Sequence, residues 1–227
     1  LKINYTLKRS NRKTVAIHIR DGHVEVRAPH RTSIEHIEGF IASKEKWIKD
    51  KLAHSLDKLV KRQSHSVDYG SLLLYRGKSC PITAREGKVM GFDEGEGCFY
   101  MPPDLTPEQI KASCIQIYKL LAKRDINEKV KHYSEIMELQ PQGVKINSAK
   151  TRWGSCSSKR LLNFSWMLIM AEDEVIDYIV IHELAHLHEM NHSHRFWEIV
   201  EKYNPDYESR RHKLKELQHK LAGEDWT

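Results

Sequence analysis

Long apolar runs are missing from this chain. No stretch approaches the ~18 consecutive apolar residues that a bilayer span requires, which excludes a membrane helix. The opening residues LKINYTLKRS have no apolar core either, so no secretory leader is expected there. Cysteine is scarce: there are four, Cys80, Cys98, Cys114 and Cys156, and none forms a CxxC pair. That scatter suggests neither a disulfide framework nor a structural zinc cluster, and a reducing cytoplasm is the expected compartment. There is no internal repeat and no low-complexity segment, which sets aside solenoids and disordered linkers. Charge of one sign does not dominate. The 37 Lys and Arg face 31 Asp and Glu, for a net +6. The basic residues are interspersed with acids, as in KEKWIKDKL, so a solvated surface is preferred over nucleic-acid contact.

What is present is ordinary globular material: 227 residues, 40% hydrophobic and 30% charged, enough for one large domain or two small ones. TVAIHIRD and HVEVRAPH alternate with period two around Asp21-Gly22, which predicts a hairpin with Ile17 and Ile19 facing Val24 and Val26. Pro29 ends the pairing because it has no N–H to donate. Ser33 is a candidate N-cap for a helix carrying Ile34, Ile37, Phe40 and Ile41, and Trp47, Ile48 and Leu52 continue the helical spacing. Residues 71–101 return to β signals punctuated by Gly77, Gly87, Gly91, Gly95 and Gly97. Pro102-Pro103 marks the expected boundary between a β-rich part with helical segments, 1–103, and a second domain, 104–227. Thr106-Pro107-Glu108-Gln109 opens a long helix in capping-box style. VKIN and LLNFSW read as strands flanking TRWGSCSSKR. A helix is expected from about Asp173 to Met190, followed by two more separated by Asn204-Pro205. The fold class is α+β.

One motif carries chemistry: His182-Glu183-Leu184-Ala185-His186. Two histidines four apart on a helix stand ~40° apart around the axis and ~6 Å along it, so both rings can reach one metal ion. Glu183 flanks that ion without needing to bind it, where a base must be to take a proton from an activated water. The helix is apolar through Val175, Ile176, Ile179, Val180, Ile181 and Leu184, and burying two imidazoles and a carboxylate there is costly unless something pairs with them. A catalytic zinc requires a third protein ligand and an open position. His188 points away on the same helix. His192 falls on a turn, if Asn191 ends the helix in the left-handed conformation and Ser193 caps the next. His194, Glu198 and Glu201 on that next helix are the alternatives. Asp177 is a candidate to orient a ligand ring and Tyr178 to stand behind His182. Arg210, Arg211, His212 and Lys213 read as a solvated basic face.

The segments Arg152-Trp153-Gly154-Ser155-Cys156, LNFSWMLIMA, VIDYIVIHELAHL and Asn191-His192-Ser193-His194-Arg195-Phe196-Trp197 resemble the YgjP-like (formerly DUF45) metallopeptidase family. The resemblance covers nearly the whole chain in order and is strongest over 151–213. The family sits beside SprT-like and WLM zinc proteases in the zincin-like superfamily. It implies a zincin-like C-terminal domain, one zinc ion held by His182, His186 and His192, Glu183 as catalytic base, and a peptide or protein substrate. Metzincins would have glycine at 189, where this chain has Glu189. Zincins commonly offer an edge strand to an extended substrate, and LLNFSW is expected to be that edge. Arg152, Trp153 and Ser155, in a turn before it, and Asn163 within it are the candidate substrate contacts, although Trp153 and Cys156 read first as packing residues. Two other functions fit the same residues. One is a zinc hydrolase of nucleoside triphosphate pyrophosphate bonds. The other is a metal-stabilised, nucleic-acid-associated binding module.

Overall fold

The computed structural model describes residues 3–64 and 66–226. Contacts divide the chain into two compact units, one of Leu1–His65 with Lys220–Asp225, the other of Ser66–His219 with Trp226. Pro102-Pro103, the boundary expected from the sequence, lies inside the second unit, just ahead of its long helix.

In the first unit, β1 (Thr6–Ser10), β2 (Ala16–Arg20) and β3 (His23–Pro29) form a sheet in the order β1-β3-β2. The hairpin turns where the Asp-Gly pair predicted it, with Asp21 at φ 48° and Gly22 at φ 76°. The register sets Ile17 opposite Val26 and Ile19 opposite Val24. Pro29 is the last residue of β3. Ser33 caps α1 (Ile34–Ser43) by accepting from the His36 N–H. Val24, Val26 and Ala28 from the sheet meet Ile37 and Ile41 of α1 and Ile48 of α2 (Glu45–Ser64) in one apolar core.

The second unit opens with β4 (Leu72–Tyr75), β5 (Lys78–Ala84), β6 (Gly91–Asp93) and β7 (Cys98–Met101), in sheet order β4-β5-β7-β6. Then comes α3 (Pro107–Met137), whose capping box is complete: Thr106 accepts from the Gln109 N–H while the Gln109 side chain accepts from the Thr106 N–H. Glu138 ends it in the left-handed conformation at φ 55°. A second small sheet follows from β8 (Gly143–Asn147), β9 (Gly154–Cys156) and β10 (Leu161–Ser165). After β10 a short 3-10 turn, Trp166–Met170, is wholly buried and stacks Trp166 on Tyr118 of α3 at 5.5 Å. The chain ends in α4 (Asp173–Ala185), α5 (His194–Tyr203) and α6 (Tyr207–Leu221). The α+β class holds, and no helix is long and apolar enough to cross a membrane.

Two expectations are corrected here. LLNFSW is not an edge. β10 is the central strand, parallel to β8 on one side and antiparallel to β9 on the other. The expected turn around Arg152, Trp153 and Ser155 contains a strand, because the short β9 pairs Ser155 with Asn163 and Gly154 with Phe164. A three-residue strand is too brief for alternation to reveal.

Candidate metal centre

α4 packs against α3, α5 and β9, and nine of its 13 residues are buried. Asp173 and Glu174 favour its N-terminus electrostatically. It ends at His186, short of the expected Met190. Leu187 and His188 close back on the Leu184 and Ala185 carbonyls. Asn191 is not left-handed, so the tightened last turn ends the helix instead. The chain then re-enters α5 with Ser193 as the cap, accepting from the Phe196 N–H.

This reversal brings His192 back over the helix. Its Nε2 lies 3.1 Å from His182 Nε2. Candidate ligand atoms of His182, His186 and His192 all lie within 4.8 Å of one another, the one such histidine triad among the described residues. Four-coordinate zinc, at about 2.0–2.1 Å from each nitrogen, separates its ligands by about 3.3 Å. The triad therefore fits such an ion. The other ring atoms agree. His186 Nδ1 donates to the Glu189 carbonyl at 3.1 Å, which leaves its Nε2 lone pair for a cation. Two buried polar atoms in the motif, His182 Nδ1 and Glu183 Oε2, have no partner among the protein's own groups.

The other third-ligand candidates are elsewhere. His188 is exposed. His194 is exposed and pairs with Glu198 at 3.2 Å, one turn along α5. Glu201 stands outside the triad.

Electrostatics follow from burial. Desolvation pushes His182 down to about 3, and the neighbouring His186 and His192 and the charge of Arg211 act the same way. Burial lowers His186 too, so both rings are held neutral. Burial pushes the Glu183 carboxyl up to about 8, and Arg152 opposes that rise. A carboxyl held near neutrality suits a group that must take and return a proton. Burial and the Glu183 charge raise the Cys156 thiol, which makes it a poor nucleophile.

Three residues that the sequence offered only as parts of motifs pack on this centre. Gly154 lies against the Glu183 carboxylate: a Cβ there would sit 2.5 Å from Glu183 Oε1 and 2.6 Å from its Cγ. Only glycine lets the carboxylate lie along β9, a packing role that sequence spacing does not reveal. Phe196, fully buried, meets all three imidazoles, with centroids 4.9 Å from His182, 4.5 Å from His186 and 4.8 Å from His192. Trp197 stacks on His192 at 5.8 Å and 29° and is backed by Tyr207 of α6 at 5.2 Å and 22°. Spacing along the chain does not reveal that Phe196 and Trp197 touch these imidazoles.

The remaining candidates sort as follows. Arg152 is exposed and Trp153 half-buried. The Trp153 carbonyl accepts from the Ser165 N–H at 2.8 Å. Ser155 stands on β9, and Asn163 is half-buried on the central strand. Tyr178 is buried with its ring 5.9 Å from that of His182. Asp177 does not orient a ligand ring; it binds Lys129 at 2.6 Å. The basic cluster near the C-terminus is engaged rather than merely solvated. Arg210 pairs with Asp206, Lys213 binds Glu172, and Arg211 lies over Trp197 at 5.8 Å.

A family model described as YgjP-like, metallopeptidase domain, matches residues 13–217. A search of curated proteins finds no match. Two solved structures are similar over part of the chain. The metallopeptidase zymogen of Pyrococcus abyssi abylysin is 29% identical, with 42% of this chain and 94% of that chain covered and a TM-score of 0.38. The metallopeptidase zymogen of Methanocaldococcus jannaschii jannalysin is 24% identical, with 42% and 96% covered and a TM-score of 0.37.

Proposed function

The chain belongs to the YgjP-like family of metallopeptidase domains, and from that premise we propose that it is a zinc-dependent peptidase with His182, His186 and His192 as ligands and Glu183 as base. The observation that carries this reading is the convergence of three imidazoles within 4.8 Å on and beside a buried helix that also bears an unpartnered carboxylate oxygen. A zinc ion held there supplies Lewis acidity, which polarises a carbonyl and makes water acidic enough to be deprotonated near neutral pH.

The protein's own groups do the rest. Glu183 takes the proton from the attacking water and returns it to the leaving amine, and its raised pKa suits both directions of transfer. Gly154 keeps that carboxylate in place. β9 is an outer strand of its sheet, packed on α4, and its free edge is where an extended peptide adds. Ser155 and Trp153 flank that path. Asn163 contributes through its side chain alone, since its backbone is committed to β8 and β9.

The test is to purify the protein, measure bound metal by elemental analysis, and assay it against peptides and nucleoside triphosphates. One zinc per chain and peptide cleavage are expected. Glu183→Gln should keep the zinc and lose turnover by about 10²–10⁴-fold. Failure to bind any transition metal, or full activity in that variant, would overturn the assignment. Cleavage of triphosphates in place of peptides would move the same centre to phosphorus chemistry.

A further inference from the structure

The sheet built from β8, β10 and β9 has two outer strands, and they face different surroundings. β9 packs on α4 beside the metal centre. β8 forms the opposite margin, bonded to β10 on one side and, among the described residues, to no strand on the other. α3 packs beside β8. An open groove of about 590 Å³ lies between the two, lined by Lys119, Leu120 and Lys123 on the helix and by Val144, Lys145 and Ile146 on the strand, with two neutral amide side chains completing it.

Successive residues of a strand point to opposite faces of its sheet, so a groove touched by three in a row lies against the strand's edge. An edge presents a row of N–H and C=O groups ready to pair with another chain. Among the described residues no other backbone segment takes up those of β8 on its outer side. Apolar surface lies open beside them: Leu120 is 68% exposed, and Val144 and Ile146 are half-buried. The charge in the groove is all of one sign. Lys119, Lys123 and Lys145 are exposed, no lining residue is acidic, and none of the three has a carboxylate partner among the described residues. Lys119 and Lys123 are four apart on α3, a spacing at which like charges repel. Lysine on an edge also discourages indiscriminate pairing. A second copy of this edge would set the same three cations against each other. A strand that carries carboxylates relieves the repulsion, pairs with the open backbone and covers Leu120. A nucleic acid would meet the lysines alone and leave the strand edge and the leucine unused.

We propose that the β8 edge is a docking site for an acidic, extended segment of a partner protein, which adds to the sheet as a further strand while its carboxylates meet Lys119, Lys123 and Lys145. The alternate side chains of that segment that face α3 pack on Leu120. The site lies across the sheet from β9, so its occupant does not lie along the path assigned to a peptide undergoing cleavage. It stands whether or not the chain is a peptidase.

The experiment uses the whole chain as Glu183→Gln, so that added peptides stay intact. Fluorescence anisotropy compares labelled peptides of equal length: alternating valine and glutamate, the same with glutamine or lysine for glutamate, and the glutamate peptide with alternate backbone nitrogens methylated. A single-stranded oligonucleotide serves as the rival polyanion. The glutamate peptide should bind about 10-fold or more tightly than the lysine peptide, with the advantage shrinking as salt rises. The methylated peptide, which cannot complete the ladder, should lose most of that affinity. Hydrogen exchange with the glutamate peptide bound should show added protection at residues 143–147. Lys119→Glu, Lys123→Glu and Lys145→Glu combined, with the thermal transition unchanged, should weaken the glutamate peptide by about 10-fold or more. No detectable binding of the glutamate peptide, equal binding of all three compositions, or full affinity after methylation overturns the proposal. So does protection at residues 154–156 in place of 143–147, and so does an oligonucleotide that binds more tightly than any peptide. The exchange measurement needs no change in the groove, so it decides the matter even where the triple variant fails to fold.

Discussion

His182 and His186 stand at the end of a mostly buried helix, whereas His192 stands on an exposed turn between two helices. The first pair is placed by backbone geometry: four residues of helix fix the separation, and the packing of α3, α5 and β9 fixes the direction. The third imidazole has no helix of its own. Side chains hold it, Phe196 beneath all three rings and Trp197 and Tyr207 stacked behind it. A metal centre can therefore be half rigid by secondary structure and half rigid by aromatic packing. The two halves should fail differently when disturbed.

The sharpest break is expected on the helical side. Gly154→Ala places a methyl group inside the space of the Glu183 carboxylate, so on the proposed assignment the base must move while the three imidazoles stay. Turnover should fall by about 100-fold with zinc content unchanged, since misplacing a catalytic group by about 1 Å costs that much. Parallel kinetics and elemental analysis check it, and loss of zinc along with activity would show that the glycine serves the ligands instead. A smaller effect is expected on the turn side. Trp197→Ala removes the plane behind His192, and zinc affinity should drop by about 10–100-fold while the fold persists. Trp197→Phe should recover most of it. Competition with a chromogenic chelator reads this, and unchanged affinity in Trp197→Ala would show that the loop holds His192 unaided.

The smallest effect concerns stability without metal. The Glu183 carboxyl has its pKa raised by burial from 4.5 to about 8, so the folded state holds a proton that the unfolded chain releases between those values. The folded state then binds more protons than the unfolded one, and stability falls as pH rises from about 4.5 through 8. Glu183→Gln lacks this slope. Metal-free Glu183→Gln should match the parent below pH 4.5 and exceed it above pH 8, by on the order of a few kcal/mol. Urea melts at several pH values check the sign. A parent that gains stability relative to the variant across that window would mean that the carboxylate has a partner in the folded protein.

Much of the architecture was legible because local rules and tertiary packing agreed. The Asp21-Gly22 hairpin, the Ser33 and Ser193 caps and the Thr106 capping box are set by residues within a few positions of each other, and each formed as its chemistry predicts. Where the local signal is silent, tertiary pairing decides. LLNFSW looked like an edge because nothing in its own residues says how many neighbours it has. β8 and β9 reach it from opposite sides, and β9 is too short to announce itself. The helix of the metal motif was drawn too long because His188 and Glu189 continue a helical pattern that the tightened last turn interrupts.

By itself, the sequence determined the spacing of His182, Glu183 and His186 and the buried character of the helix that carries them, since both depend only on residues next to one another along one helix. Only the tertiary structure decided what meets that helix from a distance: His192 folding back, Gly154 yielding its Cβ space to the Glu183 carboxylate, and Trp197 and Tyr207 stacking behind the third imidazole with Arg211 over Trp197. Those contacts join residues up to 29 positions apart, the separation of Gly154 from Glu183. Close packing in three dimensions, not periodicity along the chain, selects such neighbours.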